Sequence, residues 1–465
     1  MKISKIYIKG FQQFQDVELD FTNPETGLPL DKVCFIGSNG TGKSKLLRLV
    51  NWLFTVVFIN FNKSGQGQPY LTEGAKVVFK ISYINSNYLI FHFNRNSFIL
   101  RIKNLTKSEE DVLISGLLAL KSPEDFTKDE KYIKYTASTL NTEFLAEFTL
   151  QKNAKDLLIY SPAESNSNGY KNIIDVPETN VSEALELSKE FPFYAEVSSE
   201  KVNVFWKLLV YNLRKRAEER DAYENIPDNL NKTKAKLIEE FDKIHPKVLE
   251  HLALVWNRIL EKAGLEFDVN GASNPYQLND NLKAYVKLSN TNSIIQYGNL
   301  STGIRNYIFR LGHIFSLYFN REIERGFLLV DEPENSLFPD FLFDLMDAYK
   351  EVVLDKRGEN NTQMFFATHN PIVAAQFKPY ERIILNWNED GTVKVNKGIT
   401  PEGDDPNDIL VKDFGLHQLM GPTGILEWNK YLDLKKKLKV TESIEEKMKV
   451  ASEINKIGQL YNFPG

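Results

Sequence analysis

Cysteine is almost absent: Cys34 is the single one in 465 residues. No intrachain disulfide can form, and a lone thiol inside an apolar run suits a reducing compartment better than nucleophilic chemistry. The six histidines, His92, His245, His251, His313, His369 and His417, show no metal-ligand spacing, which argues against a zinc centre. Long hydrophobic runs are missing too. The most apolar stretch, residues 49–61, is interrupted by Asn51, Trp52 and Asn60 and preceded by Arg48, far short of the ~20 apolar residues of a membrane helix. Residues 1–9 alternate lysine with isoleucine instead of forming a secretory leader, so a cytoplasmic location without membrane association is expected. Positive charge is not in excess: 57 Lys and Arg stand against 62 Asp and Glu, a net −5, so binding of nucleic acid would need a local patch. Sustained heptads and internal repeats are also lacking, which excludes a long coiled-coil arm or a solenoid.

What is present is concentrated at a few strand ends. Gly37, Ser38, Asn39, Gly40, Thr41, Gly42, Lys43 and Ser44 have the G-x-x-x-x-G-K-[ST] spacing, between the apolar run Val33–Ile36 and the helix-like Leu46, Leu47, Leu49 and Val50. Glycines there let successive N–H groups converge on phosphate oxygens, and the following helix adds its positive dipole end. Lys43 would neutralise the β- and γ-phosphates of ATP, and Ser44 would place its hydroxyl on Mg2+. A second apolar run, Gly326–Val330, delivers Asp331 and Glu332 at its end. Asp331 would hold Mg2+ from behind Ser44, and Glu332 would orient and deprotonate the attacking water, although an acidic turn after a buried strand has the same pattern. A third run, Met364–Thr368, ends in His369, either a sensor of the γ-phosphate or a structural imidazole. Finally, Leu300-Ser301-Thr302-Gly303 opens an amphipathic pattern through Ile304, Tyr307, Ile308, Leu311, Ile314, Phe315 and Tyr318. Ser301 and Gly303 offer an anion a hydroxyl and a close backbone approach, while capping alone also explains Ser301.

Residues 75–103 read as an antiparallel meander of three strands, residues 107–134 as charged loop with short helical pieces, and residues 183–265 as helical. The last segment holds a strand pair near Arg382–Lys394 and helices from about Asn407 to Tyr461; Glu402, Asp404 and Asp405, the nearest match to a nuclease carboxylate set, look like helix capping.

In their order, the GSNGTGKS, LSTG, LLVDEPE and ATHN segments resemble the ABC-type ATPase heads of the RecF/SMC class, where they would be Walker A, signature, Walker B with D-loop, and switch histidine. The opening strand, residues 2–14, is similar to the first strand of those heads. The turn Glu332–Pro339 resembles that of OLD and Septu-type antiphage ATPases, with Phe338 where a histidine is common. Ile304 departs from the Gln or Glu usual after the signature, and Gln151 is only a positional choice for the Q-loop residue. The resemblance implies an α/β fold: an ABC-ATPase head, its P-loop parallel sheet joined to an antiparallel β-subdomain, with a compact helical insertion and a C-terminal helical tail. The divisions expected are 1–105, 106–285 with helices over 183–265, 286–395, and 396–465. It also implies a head-to-tail homodimer or higher homo-oligomer that encloses ATP, and a separate effector, a nuclease, regulated in bacterial antiphage defence. The alternative is a RecF-like ATPase of DNA repair or clamp handling, with nucleic acid as partner.

Overall fold

A computed structural model describes residues 1–54, 71–83, 86–94, 96–102, 105–122, 125, 132–135, 156–163, 194–197, 215–245, 247–269, 286–295, 299–355, 357–416 and 419–463. Outside these residues lie 62–69, whose polar, Gly-rich composition predicts a loop, 143–150, which read as a strand, the helically spaced Phe205–Leu213, and Gln151. The described chain divides into two compact units, Met1–Asp404 and Asp405–Gly465.

The first unit begins with β1 (Lys2–Phe11), β2 (Phe14–Asp20) and β3 (Lys32–Gly37), followed by the phosphate-loop residues and α1 (Lys43–Phe54). Next come β4 (Lys76–Tyr83), β5 (Ser86–Phe93), β6 (Asn96–Ile102), α2 (Lys107–Ala119), β7 (Tyr132–Tyr135), β8 (Asp156–Ser161) and β9 (Tyr194–Glu196). Then α3 (Lys234–Ile244), α4 (Val248–Leu260), β10 (Leu265–Phe267), β11 (Val286–Leu288), β12 (Ile294–Ile295) and α5 (Thr302–Arg321) lead to β13 (Arg325–Asp331). The unit closes with α6 (Leu345–Val352), β14 (Thr362–Ala367), α7 (Pro371–Ala375), β15 (Arg382–Trp387) and β16 (Val393–Lys397).

These strands form a seven-stranded sheet of order β16-β15-β3-β14-β13-β8-β9, parallel except for β16, and a six-stranded antiparallel sheet of order β2-β1-β4-β5-β6-β7. The expected meander is thus the middle of a wider sheet. Strands β3, β13 and β14 are buried along nearly their whole length, which is why they read as continuous apolar runs. One core joins both sheets to α1 through Phe11, Phe35, Leu46, Leu49, Phe79, Phe327 and Phe365; each such side chain contributes ~1.5–3 kcal/mol on burial. The other face of the antiparallel sheet packs Val78, Leu89, Phe91 and Leu100 against Ile114 and Leu117 of α2. At the middle of the parallel sheet, the buried Gln363 amide accepts from Ile3 N at 2.7 Å and donates to Ile3 O at 2.8 Å and Leu30 O at 2.9 Å, tying β14 to β1.

Three local expectations need correction. Residues 107–119 are one helix, not a charged loop: Thr106 and Glu109 form a reciprocal capping box, and the helix buries Ile114 and Leu117 against the sheet. The stretch 183–265 is not helical throughout, because Tyr194–Glu196 is a strand paired in parallel with β8. A small sheet, β10-β11-β12, was not anticipated, and it straddles residue 285. Likewise β7 extends the antiparallel sheet past residue 105, and β16 runs across 395/396.

In the second unit Asp405 caps a one-turn helix by accepting from Asn407 N at 2.8 Å, and the π-helical turn Ile409–Asp413 follows. Helices α8 (Pro422–Val440) and α9 (Ile444–Tyr461) form a hairpin around Tyr431, Val450, Ile454 and Ile457. Among the described residues no helix is long and apolar enough to cross a membrane.

Candidate nucleotide site

Parallel pairing brings the C-terminal ends of β3, β14, β13 and β8 to one edge, where the Gly37–Ser44 loop, Asp331, Glu332 and His369 lie. The loop Gly37–Gly42 leaves β3 with positive φ at Gly37 (147°), Gly40 (86°) and Gly42 (103°). A Cβ on Gly42 would lie 2.6 Å from both Gln13 Nε2 and Phe14 Cζ, so only glycine satisfies both the backbone angle and the space. Thr41 Oγ1 closes the loop by donating to Ser38 O at 2.8 Å, and Lys43 Nζ spans it, donating to Gly37 O at 2.8 Å and Ser38 O at 3.2 Å. Ser38, Asn39 and Gly40 are exposed. Burial pushes the Lys43 ammonium pKa down, and the nearby carboxylates of Asp331, Glu332 and Glu334 oppose that shift.

Ser44, in the first turn of α1, donates from Oγ to Asp331 Oδ1 at 3.0 Å. Asp331 is buried, and desolvation raises its pKa, partly offset by the Ser44 hydrogen bond. Glu332 follows with φ at +46°, a left-handed conformation that costs a non-glycine residue roughly 1–2 kcal/mol. Three hydrogen bonds to its backbone hold it there: Glu332 N donates to Ala367 O at 2.8 Å, and Arg310 Nη1 at 3.0 Å and Asn335 N at 3.1 Å donate to Glu332 O. His369 is exposed, its Nδ1 3.7 Å from both Glu332 Oε1 and Glu334 Oε1.

Ser301 and Gly303 open α5. Ser301 is exposed and accepts from Ile304 N at 3.3 Å, so capping is one of its functions. Gly303 is buried, and its close backbone approach is to Ser336 of the same chain: a Cβ would lie 2.7 Å from Ser336 C and 3.3 Å from Leu337 N. The start of α5 and the turn after Glu332 are therefore one packed surface, from which Ser301, Ser336 and Phe338 are exposed.

Several participants escaped the sequence reading. Arg310, buried on α5, donates to the carbonyl oxygens of Pro162 and Ala163 at the end of β8 as well as to Glu332 O. Glu334 is buried; its Oε1 accepts from Thr368 Oγ1 at 2.5 Å and His369 N at 3.3 Å, its Oε2 has no hydrogen-bond partner among the described residues, and burial raises its pKa. Gln13, from the β1–β2 turn, bridges Gly40 O at 3.4 Å and Lys45 Nζ at 3.0 Å. In sequence Gln13 and Arg310 are a turn amide and one charge on a helix; only the tertiary fold brings Gln13 to the loop and Arg310 to the carbonyls after β8 and β13.

Residues 1–374 match the family model described as AAA ATPase domain. The chain belongs to that family. No curated protein matches it. Among solved structures, the ATPrS form of the recombination mediator protein RecF is similar at 12% identity and a TM-score of 0.32, with 84% of this chain and 97% of that chain covered. The described residues contain no group of three or more His, Cys, Asp or Glu able to hold a metal by themselves. A hydroxyl and a carboxylate 3.0 Å apart are hard oxygen donors, a set that fits Mg2+ carried on phosphates rather than in an all-protein cage.

Proposed function

We propose that this chain is a Mg2+-dependent ATPase that hydrolyses ATP at a head-to-tail interface between two copies, and that its nucleotide state regulates a separate effector, a nuclease, in bacterial antiphage defence. The observation that carries the ATPase chemistry is the convergence of Ser44 and Asp331 at 3.0 Å, with Glu332 next along the chain. Backbone N–H groups of Ser38–Ser44 would bind phosphate oxygens, and Lys43 would exchange its two loop carbonyls for β- and γ-phosphate oxygens. Mg2+, held by Ser44 with Asp331 behind it, would neutralise charge on those oxygens. Glu332 takes the proton of the attacking water, and His369, exposed beside it, contacts the γ-phosphate.

The dimer rests on the exposed Ser301 at the N-terminus of α5, a helix end that suits an anion supplied by a second copy. Charge-assisted hydrogen bonds contribute roughly 1.5–3 kcal/mol each, so two or three across the interface reach the ~5.5 kcal/mol that switches a two-state equilibrium. Hydrolysis removes them, making ATP a closing switch and chemistry its timer. The effector and the defence role rest on the resemblance of the Glu332–Pro339 turn. A RecF-like role in DNA repair or clamp handling stands on the same motif order and opening strand.

Glu332→Gln should bind ATP, lose turnover and accumulate as a dimer in size-exclusion chromatography. Normal hydrolysis by that variant would remove Glu332 as the base. Trapped in this way, the dimer should capture a nuclease rather than DNA alone; ATP-dependent binding to duplex or gapped DNA without any effector would favour the RecF-like role.

A further inference from the structure

One exposed aromatic beside the loop has no part in the phosphate chemistry. Trp387 ends β15 with 46% of its surface exposed. Strand β15 pairs in parallel with β3, Leu385 opposite Gly37, so the indole stands at the rim of the phosphate loop. A Cβ on Gly40 would lie 3.6 Å from Trp387 Cζ2. On the same side, Gln13 reaches Gly40 O and Lys45, and its carbonyl accepts from Val393 N at 2.9 Å just beyond the β15–β16 turn. Trp387, Gly40 and Gln13 make one wall.

Strand order gives a bound nucleotide its direction. Asp331 and Glu332 leave β13, which lies beyond β14 on one side of β3, whereas β15 lies on the other. A triphosphate whose terminal phosphoryl group meets Glu332 must carry its nucleoside away from that carboxylate, toward β15. There the wall presents a half-exposed indole, and stacking on it suits a base without demanding a particular hydrogen-bonding edge.

We propose that Trp387 is the platform on which the base of a nucleoside triphosphate stacks, so that the site distinguishes nucleotides from bare polyphosphate. This rests on the reading that the loop holds a nucleoside triphosphate. The test is equilibrium binding of ATP and of inorganic tripolyphosphate, each with Mg2+, to the full chain as wild type, Trp387→Ala and Trp387→Phe. Alanine should weaken ATP roughly tenfold, phenylalanine should stay within about threefold of wild type, and tripolyphosphate should bind all three alike. ATP should also quench indole emission in the wild type more than in Trp387→Phe. Equal loss of both ligands in Trp387→Ala would make the residue a mere prop for the loop and overturn the inference, as would unchanged ATP affinity; either result leaves the nucleotide site standing. Failure of the wild type to bind either ligand would instead refute the site and the stacking together.

Discussion

Two glycine-to-alanine changes in helices should move stability in opposite directions. Gly116, in α2, is exposed and has none of the described residues within 4 Å of where an added methyl would sit, so Gly116→Ala should gain roughly 0.4–1 kcal/mol by restricting the unfolded chain and favouring helix. Gly303, at the start of α5, faces backbone. Its methyl would overlap Ser336 O and would lie 2.7 Å from Ser336 C and 3.3 Å from Leu337 N, so the helix and the turn must part by more than the ~0.8 Å that clears the carbonyl carbon alone. No rotamer relieves a contact with backbone, and overpacking of this kind costs roughly 1–3 kcal/mol, more than the helix gain. Gly303→Ala should therefore lower the urea midpoint of the intact chain while Gly116→Ala raises it. Because the displaced turn follows Glu332, whose φ is already +46°, Gly303→Ala should also slow ATP turnover while leaving ATP affinity within about threefold. Midpoints that shift together, or a Gly303→Ala enzyme of full stability and turnover, would refute the packing argument.

The remaining predictions concern the phosphate edge and its buried acid. Lys43→Ala removes two charge-assisted contacts and should weaken ATP by more than roughly a hundredfold by calorimetry; retained micromolar affinity would remove the phosphate-loop assignment. Ser301→Arg should leave ATP binding to a single chain intact and block hydrolysis by clash across the interface, so unimpaired turnover would mean that one chain completes its own site. Burial holds the Glu334 carboxyl above its ordinary 4.5, so the folded chain binds that proton more tightly than the unfolded chain, and this group's contribution to stability falls as pH rises from 4.5 through the folded value. Glu334→Gln, uncharged throughout, should flatten that part of the pH–stability profile; an unchanged slope would mean that the carboxyl is not desolvated.

The elements legible in the sequence are those whose signals are local. Val33–Ile36, Gly326–Val330 and Met364–Ala367 lie in strands buried on both faces, so each reads as an apolar run whatever its neighbours, and the candidate site residues sit at their ends. The Ser301 cap and the α5 face need only helical spacing. What the sequence hid depends on strand order. Residues 107–119 look charged because the capping box and the exposed face of α2 dominate their composition, while only two residues, Ile114 and Leu117, are fully buried. Tyr194–Glu196 is a strand because β8 offers it an edge, a preference three residues cannot announce. Arg310 and Gln13 acquire their partners from segments more than 20 residues away, and no periodicity encodes those meetings.

Gln363 gives the head a different kind of integrity from apolar contact alone. Its amide is latched to both polar atoms of the Ile3 backbone and to Leu30 O, deep between the two sheets. Cutting away residues 1–4 would do more than shorten a strand: it would leave a donor and an acceptor unmet inside the sheet that carries Asp331 and Glu332, at roughly 1–3 kcal/mol for each unmet group. Residues 1–4 thus work as a bolt through the centre of the head, and trimming them should loosen a sheet edge they never touch.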